Sequence, residues 1–173
     1  MRKKRNLIIE RTTKMKFNNF LNKNSIFVHS NFDKKDDVLH FLSHQLNEQN
    51  FVSDEKKIYE AFLYREELMN TAIGGGIAIC QALSSTVKKD TLCILTMNND
   101  GVNDWKADDE KNVNLVFALV LSKNNRNLQI DTLQMISILA LDNTLDNKIM
   151  KAKNADEIYE VMSKFNVDMH QYE

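Results

Sequence analysis

Residues 65–82 read REELMNTAIGGGIAICQA. Gly74, Gly75 and Gly76 are three of the four glycines in the chain, and they stand side by side. Adjacent glycines add nothing to a core. They suit a backbone that turns tightly or lets something approach closely. The plain reading is a tight turn between the helical pattern before it and the apolar run after it. A second reading makes the turn a rim of backbone N–H groups facing an anion. It is not a dinucleotide fingerprint: the G-x-G-x-x-G spacing is absent, and a strand follows where a helix should open. It is not a P-loop either, because no G-K-[ST] follows. Arg65 and Glu66 close the helix before the turn. They are either a surface pair, or they set a guanidinium where it can grip a phosphoryl group through two hydrogen bonds.

Outward from this stretch the chain alternates helical and strand patterns. VSDEKKIYEAFLYREELM (52–69) predicts a helix with Ser53 as N-cap, Asp54 and Glu55 in its first turn, and Ile58, Phe62 and Leu63 inward. Before it, DKKDDVLHFLSHQLNEQNF (33–51) carries Val38, Leu39, Leu42 and Leu46 at helical spacing. SIFVHS (25–30), GIAIC (76–80) and DTLCILTM (90–97) read as short strands. NNDGVNDWKADDEKN (98–112) reads as a polar loop holding the only tryptophan. VNLVFALVLS (113–122) is apolar for most of its length, as a central strand covered on both faces should be. NLQIDTLQMISILALDN (127–143) predicts a helix with Leu133, Ile136, Leu139 and Ala140 on one side. In NADEIYEVMSKF (154–165), Asn154 and Glu157 have capping-box spacing ahead of Ile158 and Met162. Helices, then strands, then helices predict an α/β fold: a mixed, mostly parallel sheet of about four to six strands with helices on both faces.

The 173 residues suit one domain, and a net charge of −1 carries no signature of nucleic-acid binding. The charge is unevenly spread. Residues 1–24 hold eight Lys/Arg against Glu10 alone. Charge therefore divides the chain into a basic arm at 1–24, expected to be flexible, a domain at 25–166 and a short tail at 167–173. MRKKRNLIIERTTKMK (1–16) has a basic start but no apolar run of signal-peptide length, and no stretch is long and apolar enough to insert in a membrane. A reducing cytoplasm is the expectation. Cys80 and Cys93 lack metal-ligand spacing. His40 and His44 share a helix face but have no evident third ligand, so solvated histidines, and no metal, are expected. His29 and His170 have no obvious partner.

REELMNTAIGGGIAICQA resembles the active-site segment of the fructose/mannitol-class enzyme IIA domains of the bacterial phosphoenolpyruvate-dependent sugar phosphotransferase system. That class includes the nitrogen-regulatory enzyme IIA. Arg65, Glu66, Thr71, Gly76, Ile77, Ala78 and Ile79 match its pattern. The resemblance extends through VNLVFALVLS, LQMISILA and IMKAKNADEIYEVM, and covers Phe17 to Phe165. It implies the sandwich fold of that class. It also implies partners: the histidine-containing phosphocarrier protein, an enzyme IIB/IIC permease, or a target the protein regulates. No cofactor is implied. In the family a histidine accepts the phosphoryl group and a second histidine supports it. Here Gln81 stands at the acceptor position and Cys80 at the preceding proline. The second histidine maps to Thr132, or to Asp131 if the alignment slips by one residue.

A carboxamide nitrogen is delocalised into its carbonyl; it offers hydrogen bonds but cannot carry a transferable phosphoryl group. The resemblance therefore implies a degenerate enzyme IIA, a partner-binding or regulatory module. Arg65, Gln81 and Thr132 would form its site, with Thr71, Gly74, Gly75, Gly76 and Cys80 as the phosphate-binding rim. The alternative is an active phosphocarrier with Cys80 as a non-standard acceptor. A third possibility reuses the fold for an unrelated partner.

Overall fold

In the computed structural model of the chain, which describes residues 15–98 and 100–167, the apolar runs form one five-stranded sheet. The elements in order are β1 (Met15–Lys16), a 3₁₀ turn (Phe17–Asn19), β2 (Leu21–Ser30), α1 (Lys35–Glu48), α2 (Glu55–Leu68), β3 (Ala72–Gly74) and β4 (Ile77–Leu83). They continue with β5 (Thr91–Met97), β6 (Val102–Lys106), β7 (Asn112–Val113), β8 (Leu115–Leu121), α3 (Arg126–Ala140), α4 (Asn143–Lys151), α5 (Ala155–Lys164) and β9 (Asn166–Val167). The strand order is β2-β5-β8-β4-β3. The sheet is mixed: β2–β5 and β4–β8 pair parallel, β5–β8 and β3–β4 antiparallel. β8 is central, and all of its residues are buried. Its unbroken apolar sequence follows from being covered on both faces.

Strand alternation sorts the core into two layers. In β4, Ile77 and Ile79 join Phe117, Met135, Ile136 and Ile158 on the side covered by α3, α4 and α5. Ala78, Cys80 and Ala82 join Leu39, Leu42, Ile58 and Phe62 on the side covered by α1 and α2. Helices thus lie on both faces, as expected.

The caps show how local sequence sets the helix starts. Asp54, not Ser53, caps α2: its carboxylate accepts the Lys57 N–H at 3.0 Å, while the Ser53 hydroxyl donates to the Thr86 carbonyl. A carboxylate is the better acceptor at the positive end of a helix. Asn154 caps α5 as expected, accepting the Glu157 N–H at 3.0 Å, and the Glu157 carboxylate reaches back to the Lys153 N–H at 2.8 Å. Helix α4 lies between the two helices that apolar spacing predicts. Asp142 starts it by accepting the Thr144 and Leu145 N–H groups.

Two further sequence expectations are corrected. The boundary drawn at residue 24 from charge falls inside β2, and Phe17, Phe20 and Leu21 are core residues. Aromatic burial outweighs the positive charge nearby, so the fold takes in part of the basic segment; residues 1–14 lie outside the described residues. The polar loop at 98–112 contains the β6–β7 hairpin, which delivers Trp105, fully buried, to the α1–α2 layer.

Asp146 gives the fold a pH dependence. Burial, assisted by the Asp142 charge, pushes its carboxyl up to about 6, and its Oδ1 is buried without a hydrogen-bond partner among the described residues. The folded state therefore holds this proton more tightly than the unfolded chain. The stability this contributes is fully present below the ordinary aspartate range and is lost as pH rises through about 6. A shift of that size corresponds to ~3 kcal/mol; the side chain is only half-buried, and solvent screening leaves about 1 kcal/mol. Asp146→Asn should stabilise the protein by that amount at pH 7.5, with the gain shrinking as pH falls to 5. Thermal unfolding across this range checks it, and an equal gain at both pH values would remove Asp146 as the cause.

Candidate functional site

β3 pairs only with the start of β4, at Ile77 and Ala78. Past Ile79, among the described residues, that edge of β4 has no strand beside it. A cleft of about 830 Å³ opens there between α2 and α3. α2 contributes Tyr64, Arg65 and Leu68, β4 contributes Gln81, the first turns of α3 contribute Gln129, and Lys123 comes from the loop just before α3.

Gln81 shares the side of β4 that carries Ile77 and Ile79, and so faces α3. It is 7% exposed, and its Oε1 accepts a hydrogen bond from Gln129 Nε2 at 3.1 Å. Thr132 lies one helical turn beyond Gln129 on the buried face of α3, fully buried, with Oγ1 unpartnered among the described residues. Asp131 beside it is only half-buried. Arg65 lines the same cleft as Gln81, with Nη1 donating to the Met69 carbonyl at 2.8 Å. One guanidinium N–H thus closes the C-terminus of α2 and the other four remain. Gln129 and Lys123 were missed by the sequence reading. Gln129 carried a usable signal, since it sits three residues before Thr132 and shares its helix face.

The rest of the expected rim is elsewhere, for reasons of strand geometry. Gly74, Gly75 and Gly76 form the β3–β4 hairpin turn. Gly76 lies five residues before Gln81, roughly 16 Å along the strand. Gly76 has φ +79°, and a Cβ there would meet Asn114 Oδ1 at 2.9 Å and the Asn112 carbonyl at 3.2 Å. Close backbone approach requires glycine at this position. The Gly75 N–H does face an anion, but an internal one: it donates to Asp109 Oδ2 at 2.7 Å and holds that carboxyl below its ordinary value. Thr71 is buried, with its hydroxyl donating to Glu66 Oε1, while Lys35 Nζ sits 3.3 Å from Glu66 Oε2. Both Thr71 and Glu66 tie α2 to its neighbours and neither lines the cleft.

Cys80 points away from Gln81, into the α1–α2 layer, and is fully buried. Burial first, then Glu66, push its thiol well above the usual value. A buried protonated thiol is a poor nucleophile. His40 stacks on Tyr59 at 3.7 Å between ring centroids, with Nε2 3.6 Å from Asp36, and His44 lies 3.2 Å from Glu55. His29 ends β2. None of these three lines the cleft, and His170 lies outside the described residues. Among the described residues no three His, Cys, Asp or Glu side chains cluster as a metal site would need, and no helix is long and apolar enough to cross a membrane.

Comparison with known proteins places these features in context. Residues 19–165 match the family model described as phosphoenolpyruvate-dependent sugar phosphotransferase system, EIIA 2. The chain is 29% identical over 148 residues to a nitrogen regulatory protein homolog of Haemophilus influenzae, covering 85% of this chain and 90% of that one. It is 25% identical over 150 residues to a fructose-specific EIIABC component of Bacillus subtilis, covering 87% of this chain but only 23% of that longer protein. In structure it is similar to the nitrogen regulatory protein IIA-Ntr from Neisseria meningitidis, with a TM-score of 0.76 at 20% identity over 83% of this chain and 96% of that one. It is also similar to IIA mannitol from Escherichia coli, with a TM-score of 0.68 at 20% identity over 82% and 97% of the two chains.

Proposed function

Because this chain belongs to the EIIA 2 family of the phosphoenolpyruvate-dependent sugar phosphotransferase system, we propose that it acts as a docking or regulatory module that carries no phosphoryl group itself. The observation that carries this reading is Gln81. It occupies the position that the resemblance assigns to the phosphoacceptor, and its carboxamide is engaged by Gln129. No imidazole among the described residues lines the cleft around it. A phosphoryl relay needs a nucleophile whose phosphorylated form stays reactive, and a carboxamide does not supply one. Cys80 does not replace it, being fully buried on the other face of the sheet.

The partners in this reading are phosphotransferase-system proteins, or a target that the protein regulates. The structure of the mannitol IIA enzyme bound to phosphorylated IIB is a relative with such a docked partner, with a TM-score of 0.68. Incubation with the general phosphotransferase proteins and labelled phosphoenolpyruvate should leave this protein unlabelled, while immobilised protein retains a phosphotransferase-system partner or a regulated target. Acid-stable, iodine-labile label on Cys80 would overturn the reading in favour of a phosphocysteine carrier.

A further inference from the structure

We propose that the cleft between α2 and α3 binds the phosphomonoester group of a small metabolite without reacting with it, as an effector site. The inference rests on the reading that Gln81 accepts no phosphoryl group, and goes beyond it by assigning the cleft a ligand. Charge is the first argument. Lys57, Arg65 and Lys123 line the cleft against Glu60 alone. Lys57 already has Asp54 at 3.9 Å, so Arg65 and Lys123 are the cations with most to offer an incoming anion.

Hydrogen-bonding direction is the second argument. Gln129 donates to Gln81 Oε1, which leaves the Gln81 NH₂ group to donate into the cleft. Arg65 uses one N–H on the Met69 carbonyl and keeps the others. Donors and cations of this kind suit a dianion with three acceptor oxygens, held by charge-assisted hydrogen bonds. The apolar wall is the third argument. Tyr64 and Leu68 line the cleft while 65% and 64% exposed. A cleft of about 830 Å³ has room for more than a phosphate ion, and its size is that of ordinary small-ligand sites. The body of the ligand would lie on Tyr64 and Leu68, with its phosphoryl group toward Gln81.

The test is a titration of the full chain followed by NMR, using phenyl phosphate, inorganic phosphate and phenol as probes, with no phosphotransferase proteins present. Saturable binding of phenyl phosphate is expected, at least tenfold tighter than inorganic phosphate, with no measurable binding of phenol. Lys123 is exposed and lies outside the helices, so Lys123→Gln leaves the fold intact. It should weaken phenyl phosphate about tenfold, the size of one charge-assisted hydrogen bond. Gln81→Glu, which sets a carboxylate against the dianion, should weaken it further. Phenyl phosphate binding no better than phenol, or binding unchanged by both variants, would overturn the proposal. So would a phosphorylated partner protein that binds this cleft while phenyl phosphate does not. Because the titration contains no phosphoryl donor relay, its failure is distinct from the appearance of covalent label, which bears on the preceding reading.

Discussion

Gln81→His should let this protein accept a phosphoryl group from the histidine-containing phosphocarrier protein, where the Gln81 protein, on the function proposed above, takes no label. A neutral imidazole nitrogen is a nucleophile that can carry a transferable phosphoryl group, and none lines the cleft among the described residues. The site is otherwise prepared. The side chain at position 81 is held between β4 and α3 with little room to wander, at 7% exposure. The Gln129 carboxamide, now donating to Gln81, can turn and accept the ring N–H instead, which would select one tautomer. Arg65 lines the same cleft and can share the phosphoryl charge. Label should rise over the Gln81 protein by roughly two orders of magnitude or more, the scale of one well-placed catalytic group.

The family's proline at position 80 suggests pairing this change with Cys80→Pro, but the sheet argues against it. Cys80 stands in register with Ala118 of β8. The Ser84 N–H donates to the Leu121 carbonyl, and strand alternation then turns the Cys80 N–H toward β8 as well. Proline has no N–H for that ladder. The single variant is therefore the better test, and the double variant should be less stable by about 1–3 kcal/mol. A folded Gln81→His protein that stays unlabelled would mean that the docking face has been lost along with the acceptor. The fold would then serve an unrelated partner.

Trp105→Ala should lower the free energy of unfolding by about 3–5 kcal/mol, a large part of the 5–15 kcal/mol that holds an ordinary domain folded. Trp105 is among the largest fully buried side chains and packs in the layer under α1 and α2. Its removal leaves a cavity that the β6–β7 hairpin, only a few residues long, cannot close by shifting. Trp105→Phe should cost far less, below about 1.5 kcal/mol. It keeps most of the apolar volume and loses an indole N–H that has no partner among the described residues. Denaturant titration of both variants decides the matter. A loss below about 1 kcal/mol for Trp105→Ala would mean that the hairpin is not part of the core.

Much of this molecule was legible along the chain. VNLVFALVLS declared a strand covered on both faces, because a half-exposed strand would have alternated. The helices announced themselves by apolar spacing and by acceptors at their starts, and the run from Arg65 to Ile79 identified the family and hence the sandwich. The resemblance also singled out Gln81, the position on which the proposed function rests. What linear order could not decide was which neighbours share a site. Along β4 the side chains alternate, so Cys80 and Gln81, adjacent in sequence, face opposite layers. The strand also carries the glycine turn roughly 16 Å from Gln81, where its N–H meets Asp109. Gln129, 48 residues away along the chain, is instead the hydrogen-bond partner of Gln81. Trp105 shows the same limit for stability: its flanks are polar, and it is the hairpin's place in the layer of α1 and α2 that buries it. Period and composition act over a few residues and are written in the sequence, whereas a cleft is assembled by pairing and packing between distant segments, which only the tertiary structure brings together.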